Sequence, residues 1–385
     1  MKIAGYAHIH GTIPPLSGLG KHIINMFKVI GSTPGIDLSL LSPRDLLDAE
    51  GKIPANSELA DFAVRSLPWE RKKREWRWNL TGGPVIDKFI DGAEWIYVPS
   101  EQYVPSRGAK LAVTCHHLEW FERDLPWLKG MSVHVRRIRW RLGLRPILDQ
   151  SDIVFVISEF IKQRMCDFFD VKHEKLVVLG NGVEQPFYDA AKKPRVPASP
   201  EYLLVIGGLT TRKGAEYVLN LARDIKSKKL SVEMRIAGKS EPEYLAAAEE
   251  LSPVVKLLGY TSVTELADLT HNALAVLFPS RYEGFGIPVI EAMAAGTPII
   301  ISHWGPLKEL ASDAGIVVDP RDTQSMLKAV ESLLASSTYR DKLTAAGRIR
   351  AADFTWEAIG AKALGAMGFS SSASHDGNIS LKKTI

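Results

Sequence analysis

Apolar residues in this chain fall into short runs separated by polar stretches of helical period. Ile3–Ala7 is such a run and predicts a strand, while His22–Ile30 places Ile23, Met26, Phe27 and Ile30 on one face, the spacing of an amphipathic helix. Between them Gly11, Pro14, Pro15, Gly18 and Gly20 read as a loop. Trp95–Val98, Leu111–Cys115, Ile153–Ile157 and Leu176–Leu179 predict further strands with helical stretches between them, and residues 38–90 read as irregular or helical. Pro186, Pro194, Pro197 and Pro200 with two lysines give residues 186–200 a linker composition.

The same pattern then restarts. Strands are expected at Tyr202–Ile206, Val232–Ala237, Val254–Leu258, Ala275–Phe278 and Pro298–Ser302. Helices are expected at Ala215–Ser227, Pro242–Glu250, Val263–His271 with Ser262 as N-cap, Pro288–Ala295, Asp322–Ala335, Tyr339–Ala352 and Trp356–Met367. Alternating strands and helices argue parallel sheets covered on both sides, an α/β fold. The expected domains are a Rossmann-like unit over 1–185 and a second Rossmann-like unit over 186–368. A serine-rich segment over 369–385 reads as disordered. Two such sheets facing each other leave a cleft at the carboxyl ends of their strands, where ligands bind.

The length of 385 residues fits two domains. Hydrophobic residues at 45% and charged residues at 24% exclude fibrous and globally disordered classes. Two cysteines, Cys115 and Cys166, exclude a disulfide framework and a four-cysteine zinc site within one chain. Apolar runs such as Ala273–Pro279 fall far short of the roughly 18 residues of a membrane span. His8, His10 and two prolines interrupt any apolar leader after Lys2, so a cytoplasmic protein is expected.

Residues 1–180 carry a net charge of +4 and the remainder none. The excess is clumped in Arg71–Trp78 and in Arg136–Trp140 with Arg141 and Arg145. Arginines interleaved with Trp suit an anionic membrane surface, nucleic acid, or a solvated helix with Trp on its buried side. The small overall charge of +4 argues against a phosphate-backbone binder, and no nucleic-acid partner is expected.

The chemistry concentrates in Pro279–Pro298. Glu283 sits at the carboxyl end of a strand, Gly284 and Gly286 leave the main chain bare, and Pro288 suits the first turn of the next helix. Such a helix start is an anion site suited to phosphate. Glu291 lies one turn further on, placed for a ribose diol, so two carboxylates flank a phosphate site. Arg212 and Lys213, in the loop Gly207–Gly214, also stand at a helix start, where cations oppose the dipole; an anionic ligand would remove that conflict.

Glu283-Gly284-Phe285-Gly286 through Pro298 resembles the signature of the retaining glycosyltransferases of family 4, E-G-F-G-x-P-x-x-E-A-M-A-x-G-x-P. Gly207-Gly208-Leu209-Thr210-Thr211-Arg212-Lys213-Gly214 resembles that family's basic loop, although many members carry an arginine where this chain has Gly208. Leu257-Leu258-Gly259-Tyr260 is similar to the segment that meets the nucleotide base. Ile157-Ser158-Glu159-Phe160, Asn181-Gly182-Val183 and Asp353–Glu357 also fit. Val113–Leu118 resembles V-T-x-H-D-L, with His117 in place of the aspartate, and Gly18-Leu19-Gly20 matches a flexible glycine loop near the diphosphate.

The resemblance implies a GT-B fold whose last helix returns to the first domain, and transfer of a hexose from a nucleoside-diphosphate sugar with retained configuration. It implies Glu283 holding donor-sugar hydroxyls, Arg212 and Lys213 neutralising the leaving diphosphate, and His116 contacting the sugar. Gly18, Gly20, Gly208, Gly259, Tyr260, Gly284, Phe285, Gly286 and Glu291 would surround the nucleotide. GDP-mannose is expected ahead of UDP-glucose as donor and a glycan or lipid-linked saccharide as acceptor; the Arg71–Trp78 and Arg136–Arg145 clusters favour a lipid-linked acceptor and peripheral contact with an anionic membrane. The chain has no Asp-x-Asp and no P-loop, so neither a metal nor another cofactor is expected. Three rivals stand beside this reading. One is a metal-dependent hydrolase using His8, His10, His116 and His117. The others are a non-catalytic nucleotide-sugar binder and a nucleotide-sugar epimerase or hydrolase.

Overall fold

A computed structural model describes residues 1–14 and 16–370, so the serine-rich segment expected to be disordered lies almost wholly outside the described residues. The first elements are β1 (Lys2–Tyr6), α1 (Gly18–Ser32), β2 (Asp37–Pro43), β3 (Val64–Leu67), α2 (Arg71–Thr81), β4 (Trp95–Val98) and β5 (Lys110–Cys115). They are followed by α3 (Met131–Gln150), β6 (Ile153–Val156), α4 (Glu159–Phe169), β7 (Leu176–Val178) and α5 (Gln185–Ala190). The second run comprises β8 (Glu201–Ile206), α6 (Ala215–Lys228), β9 (Val232–Ala237), α7 (Pro242–Glu250), β10 (Val255–Gly259), α8 (Val263–Asn272) and β11 (Ala275–Phe278). It closes with α9 (Ile287–Ala294), β12 (Ile299–Ser302), α10 (Leu307–Ala311), β13 (Gly315–Val318), α11 (Thr323–Ala335), α12 (Ser337–Ala351) and α13 (Trp356–Ala366).

The strands form two Rossmann-like sheets, ordered β3-β2-β1-β4-β5-β6-β7 and β10-β9-β8-β11-β12-β13. In the first, Lys2 pairs with Asp37 and Ile3 with Trp95, both in parallel register. In the second, Leu203 pairs in parallel with both Met234 and Ala275. Strand order therefore reverses between β8 and β11, as it does between β1 and β4. Such a reversal leaves a crevice at the strands' carboxyl ends, and ligands bind there.

Contacts group the chain into two compact units, one of residues 1–115, 143–155 and 360 onward, the other of 116–142 and 156–359. Within the first, Phe27 of α1 meets Tyr97 of β4 edge-on with ring centroids 6.1 Å apart, burying the stripe the sequence placed on that helix. Within the second, Leu203, Val205, Met234, Ile236 and Ile300 of the sheet pack with Val218, Leu221 and Ile225 of α6 and Val330 of α11. Helix α13 begins in the second unit, and its residues from Gly360 onward belong to the first.

Three local expectations are corrected. Residues 38–90 hold two strands, β2 and β3, as well as α2. β3 lies at the sheet edge with Arg65 and Ser66 exposed, so its four residues present no apolar run. The Gly18–Gly20 loop is instead the first turn of α1, capped by Ser17, whose Oγ accepts from the Gly20 amide at 3.2 Å. β13, with three of its four residues only partly buried, was not anticipated. Among the described residues no helix is long and apolar enough to cross a membrane.

Candidate active site

Two loops leave the carboxyl ends of the adjacent strands β8 and β11. The first carries Gly207–Gly214 into α6, the second Pro279–Gly286 into α9. They are stitched together by the Arg281 amide, which donates to the Arg212 carbonyl at 2.9 Å. Gly214 adopts φ +74°, and a Cβ there would lie 2.3 Å from the Pro279 carbonyl oxygen, so both the backbone angle and the close approach require glycine.

Between the loops sits a charge cluster. Lys213 Nζ donates to Glu283 Oε1 at 2.7 Å, and Arg212 Nη1 lies 3.3 Å from Oε2 and 3.4 Å from the Tyr282 carbonyl oxygen. Lys213 Nζ also stands over the Phe278 ring, 4.2 Å from its centroid. Glu283 is buried and Lys213 keeps only 11% of its side chain exposed, whereas Arg212 keeps 42%. Burial pushes the Glu283 carboxyl up, but the Lys213 ammonium and then the Arg212 guanidinium outweigh it and hold the carboxyl below the usual glutamate range. Burial pulls the Lys213 ammonium below the usual lysine range against the attraction of Glu283.

The cluster changes the expected electrostatics. Two cations at a helix start were expected to need an anionic ligand, yet Glu283 already supplies one negative charge between them. One unit of positive charge remains on the three side chains, and its exposed part is Arg212. Glu291 is buried in α9 and close enough for its carboxylate to raise the Lys213 pKa. Gly286 caps α9 with φ +110°.

The glycines play a different part from the one expected. A Cβ at Gly284 would lie 2.7 Å from the His116 carbonyl oxygen, so this residue lets two main chains meet rather than baring one. The Gly284 carbonyl accepts from Ser158 Oγ at 2.7 Å, and Ser158 also caps α4. Phe285 is buried edge-on against Phe354, with ring centroids 5.9 Å apart. A Cβ at Gly208 would lie 2.1 Å from the Lys239 carbonyl oxygen at φ +77°. With this backbone a side chain at position 208 would collide with the Lys239 carbonyl, so only glycine fits it.

His116 is buried after β5, within the same unit as the cluster. Gly259 ends β10, its carbonyl accepting from the Gly238 amide at 2.6 Å, and Tyr260 is 71% exposed beside it. Gly18 and Gly20 belong to the other unit, where a Cβ at Gly20 would lie 2.2 Å from the Gly11 carbonyl oxygen.

Two features escaped the sequence reading. Ser158, quoted there only as part of a matching segment, is the side chain that anchors the Glu283 loop. In the first unit, Glu75 Oε1 accepts from the Tyr6 hydroxyl at 3.0 Å and meets His8 Nε2 at 2.9 Å. The sole acid in Arg71–Trp78 was the available signal. Among the described residues no three His, Cys, Asp or Glu side chains are placed to hold a metal ion.

The profile for Glycosyltransferase Family 4 matches residues 17–185, and that for glycosyl transferases group 1 matches residues 188–350. The chain is 23% identical over 372 residues to O-antigen chain mannosyltransferase B of Escherichia coli, covering 89% of this chain and 93% of that one. It is 29% identical over 385 residues to a glycogen synthase of Mycobacterium tuberculosis, covering 90% of each. The fold matches sucrose-phosphate synthase from Thermosynechococcus elongatus with a TM-score of 0.70 at 19% identity, over 96% of this chain and 98% of that one. With both halves matched and the fold in agreement, the chain belongs to the family 4, group 1 glycosyltransferases of GT-B fold.

Proposed function

We propose that the enzyme moves a hexosyl group, mannose from GDP-mannose foremost, to a hydroxyl of a glycan or lipid-linked saccharide with the anomeric configuration retained. The observation that carries this reading is the Lys213–Glu283–Arg212 cluster at the β8–β11 strand reversal, beside the start of α9. Arg212, Lys213 and the first amides of α9 take up charge on the leaving diphosphate, in place of a metal. Glu283 holds donor-sugar hydroxyls, His116 contacts the sugar, and Glu291 binds the ribose. The acceptor oxygen bonds to the anomeric carbon on the face the diphosphate leaves, and its proton passes to the departing phosphate oxygen. The mannosyltransferase among the relatives favours mannose, and the glycogen synthase keeps glucose as the competing hexose. Two free thiols, Cys115 and Cys166, suit a reducing compartment, and we place the reaction in the cytoplasm.

The test is incubation of the protein with radiolabelled nucleotide sugars and a lipid extract, with and without EDTA. Label is expected in a new glycan, from GDP-mannose first, and at equal rate with the chelator. Free or isomerised sugar would instead mark a hydrolase or epimerase, and donor bound but unchanged a sensor. Glu291→Ala is expected to raise the dissociation constant of the nucleoside diphosphate by about tenfold, the loss of charged hydrogen bonds. An unchanged constant by calorimetry would remove Glu291 from the ribose.

A further inference from the structure

Helix α3 is apolar on two faces. Val133 and Leu144 are buried on one. On the opposite face Met131 is 78% exposed, and Val135, Ile138 and Leu142 are each 62% exposed. These four recur at helical spacing and form one stripe. A helix on a soluble surface normally carries polar residues there. Residues 131–148 contain no Asp or Glu, and they include Arg136, Arg137, Arg139, Arg141 and Arg145. Arg139 and Arg141 are exposed and fall on either side of the stripe. Arg137 is committed elsewhere, donating through Nε and Nη2 to the Trp120 and Glu122 carbonyls at 2.5 Å each. Ile138 and Leu142 also wall an open groove of about 280 Å³, shared with Phe121, Phe168, Arg123 and Arg141.

The two basic clusters differ. In α2 Trp78 is core, fully buried with its Nε1 donating to the Pro84 carbonyl at 2.9 Å, so the solvated-helix reading holds for that ring. Trp76 and Leu80 of α2 are exposed one turn apart beside Lys72, Lys73 and Arg77. Asn79 Nδ2 of α2 lies 3.9 Å from where a Cβ would stand at Gly143, in the part of α3 that belongs to the first unit.

We propose that the exposed face of α3 docks on the anionic surface of a lipid bilayer. The aliphatic stripe enters the boundary between headgroups and acyl chains, and the flanking arginines meet lipid phosphates. Charge complementarity selects an anionic surface, and the aliphatic rather than aromatic stripe disfavours single-stranded nucleic acid, whose bases stack on aromatic rings. The inference is independent of donor and acceptor, because vesicles without sugar test it.

Flotation of the full chain with vesicles of phosphatidylcholine alone, or mixed with phosphatidylglycerol, decides the matter. The protein is expected to float with the mixed vesicles, to stay behind with the neutral ones, and to be released by salt. Arg139→Gln with Arg141→Gln is expected to lower binding about tenfold. Val135→Ser, Ile138→Ser and Leu142→Ser together are expected to abolish it while keeping the charge. All five positions are exposed, so melting temperature is expected to stay unchanged and reports folding. No flotation, or flotation that both variants retain, overturns the proposal. So does a dimer lost in the serine variant without lipid binding, or RNA retardation lost in the arginine variant without lipid binding.

Discussion

Lys213→Ala is expected to lower turnover by about 10²–10³, the size of losing one preorganised charge at a developing anion. The ammonium is held on two sides: Glu283 Oε1 lies at 2.7 Å, and the Phe278 ring is beneath it with its centroid at 4.2 Å. It therefore needs little reorganisation when charge builds on the leaving diphosphate. The loss should fall on turnover more than on donor affinity, because the diphosphate gains negative charge only as the glycosidic bond breaks. Arg212 remains beside Glu283 in the variant, so the carboxylate keeps one cation. Steady-state rates with the identified donor measure the effect, and urea unfolding separates it from loss of fold. Normal turnover would remove Lys213 from the reaction.

The second half of the fold was legible because its strands are buried on both faces. Ala275–Phe278 and Ile299–Ser302 are wholly buried, and an unbroken apolar run flanked by Gly or Pro is what such a strand must look like. β3 was not legible for the converse reason: at the sheet edge it needs no apolar alternation. Gly18 and Gly20 misled because two glycines argue against a helix on propensity, whereas the Ser17 cap and the approach of the Gly11 carbonyl decide that turn. The site motif showed which residues matter but not how they meet. Lys213 and Glu283 stand 70 positions apart in the chain, and only the pairing of β8 with β11 makes one the counter-ion of the other. Likewise Gly208 reads as a missing arginine until Lys239 is seen against it. Within the Arg71–Trp78 cluster, exposure and not composition distinguishes Trp76 from Trp78.

Glu283→Gln is expected to cost about 3 kcal/mol of folding stability at neutral pH, because it leaves the buried Lys213 ammonium without its carboxylate. The pH dependence identifies the cause. The folded carboxyl is held below the glutamate value of 4.5, so its protonation is harder in the folded than in the unfolded chain. Its contribution is then complete above the unfolded value and is lost as pH falls through the lowered folded one. The gap between wild type and variant should be widest near neutrality and close under acid conditions. Lys213 does not reverse the sign: its ammonium is also held below its usual range, so the folded chain again binds fewer protons and stability again rises with pH. Urea unfolding of both proteins across the acid range measures the gap. A difference that stays constant with pH would mean that Glu283 holds the loop by shape and hydrogen bonding alone, and the charge balance assigned to the cluster would fail with it.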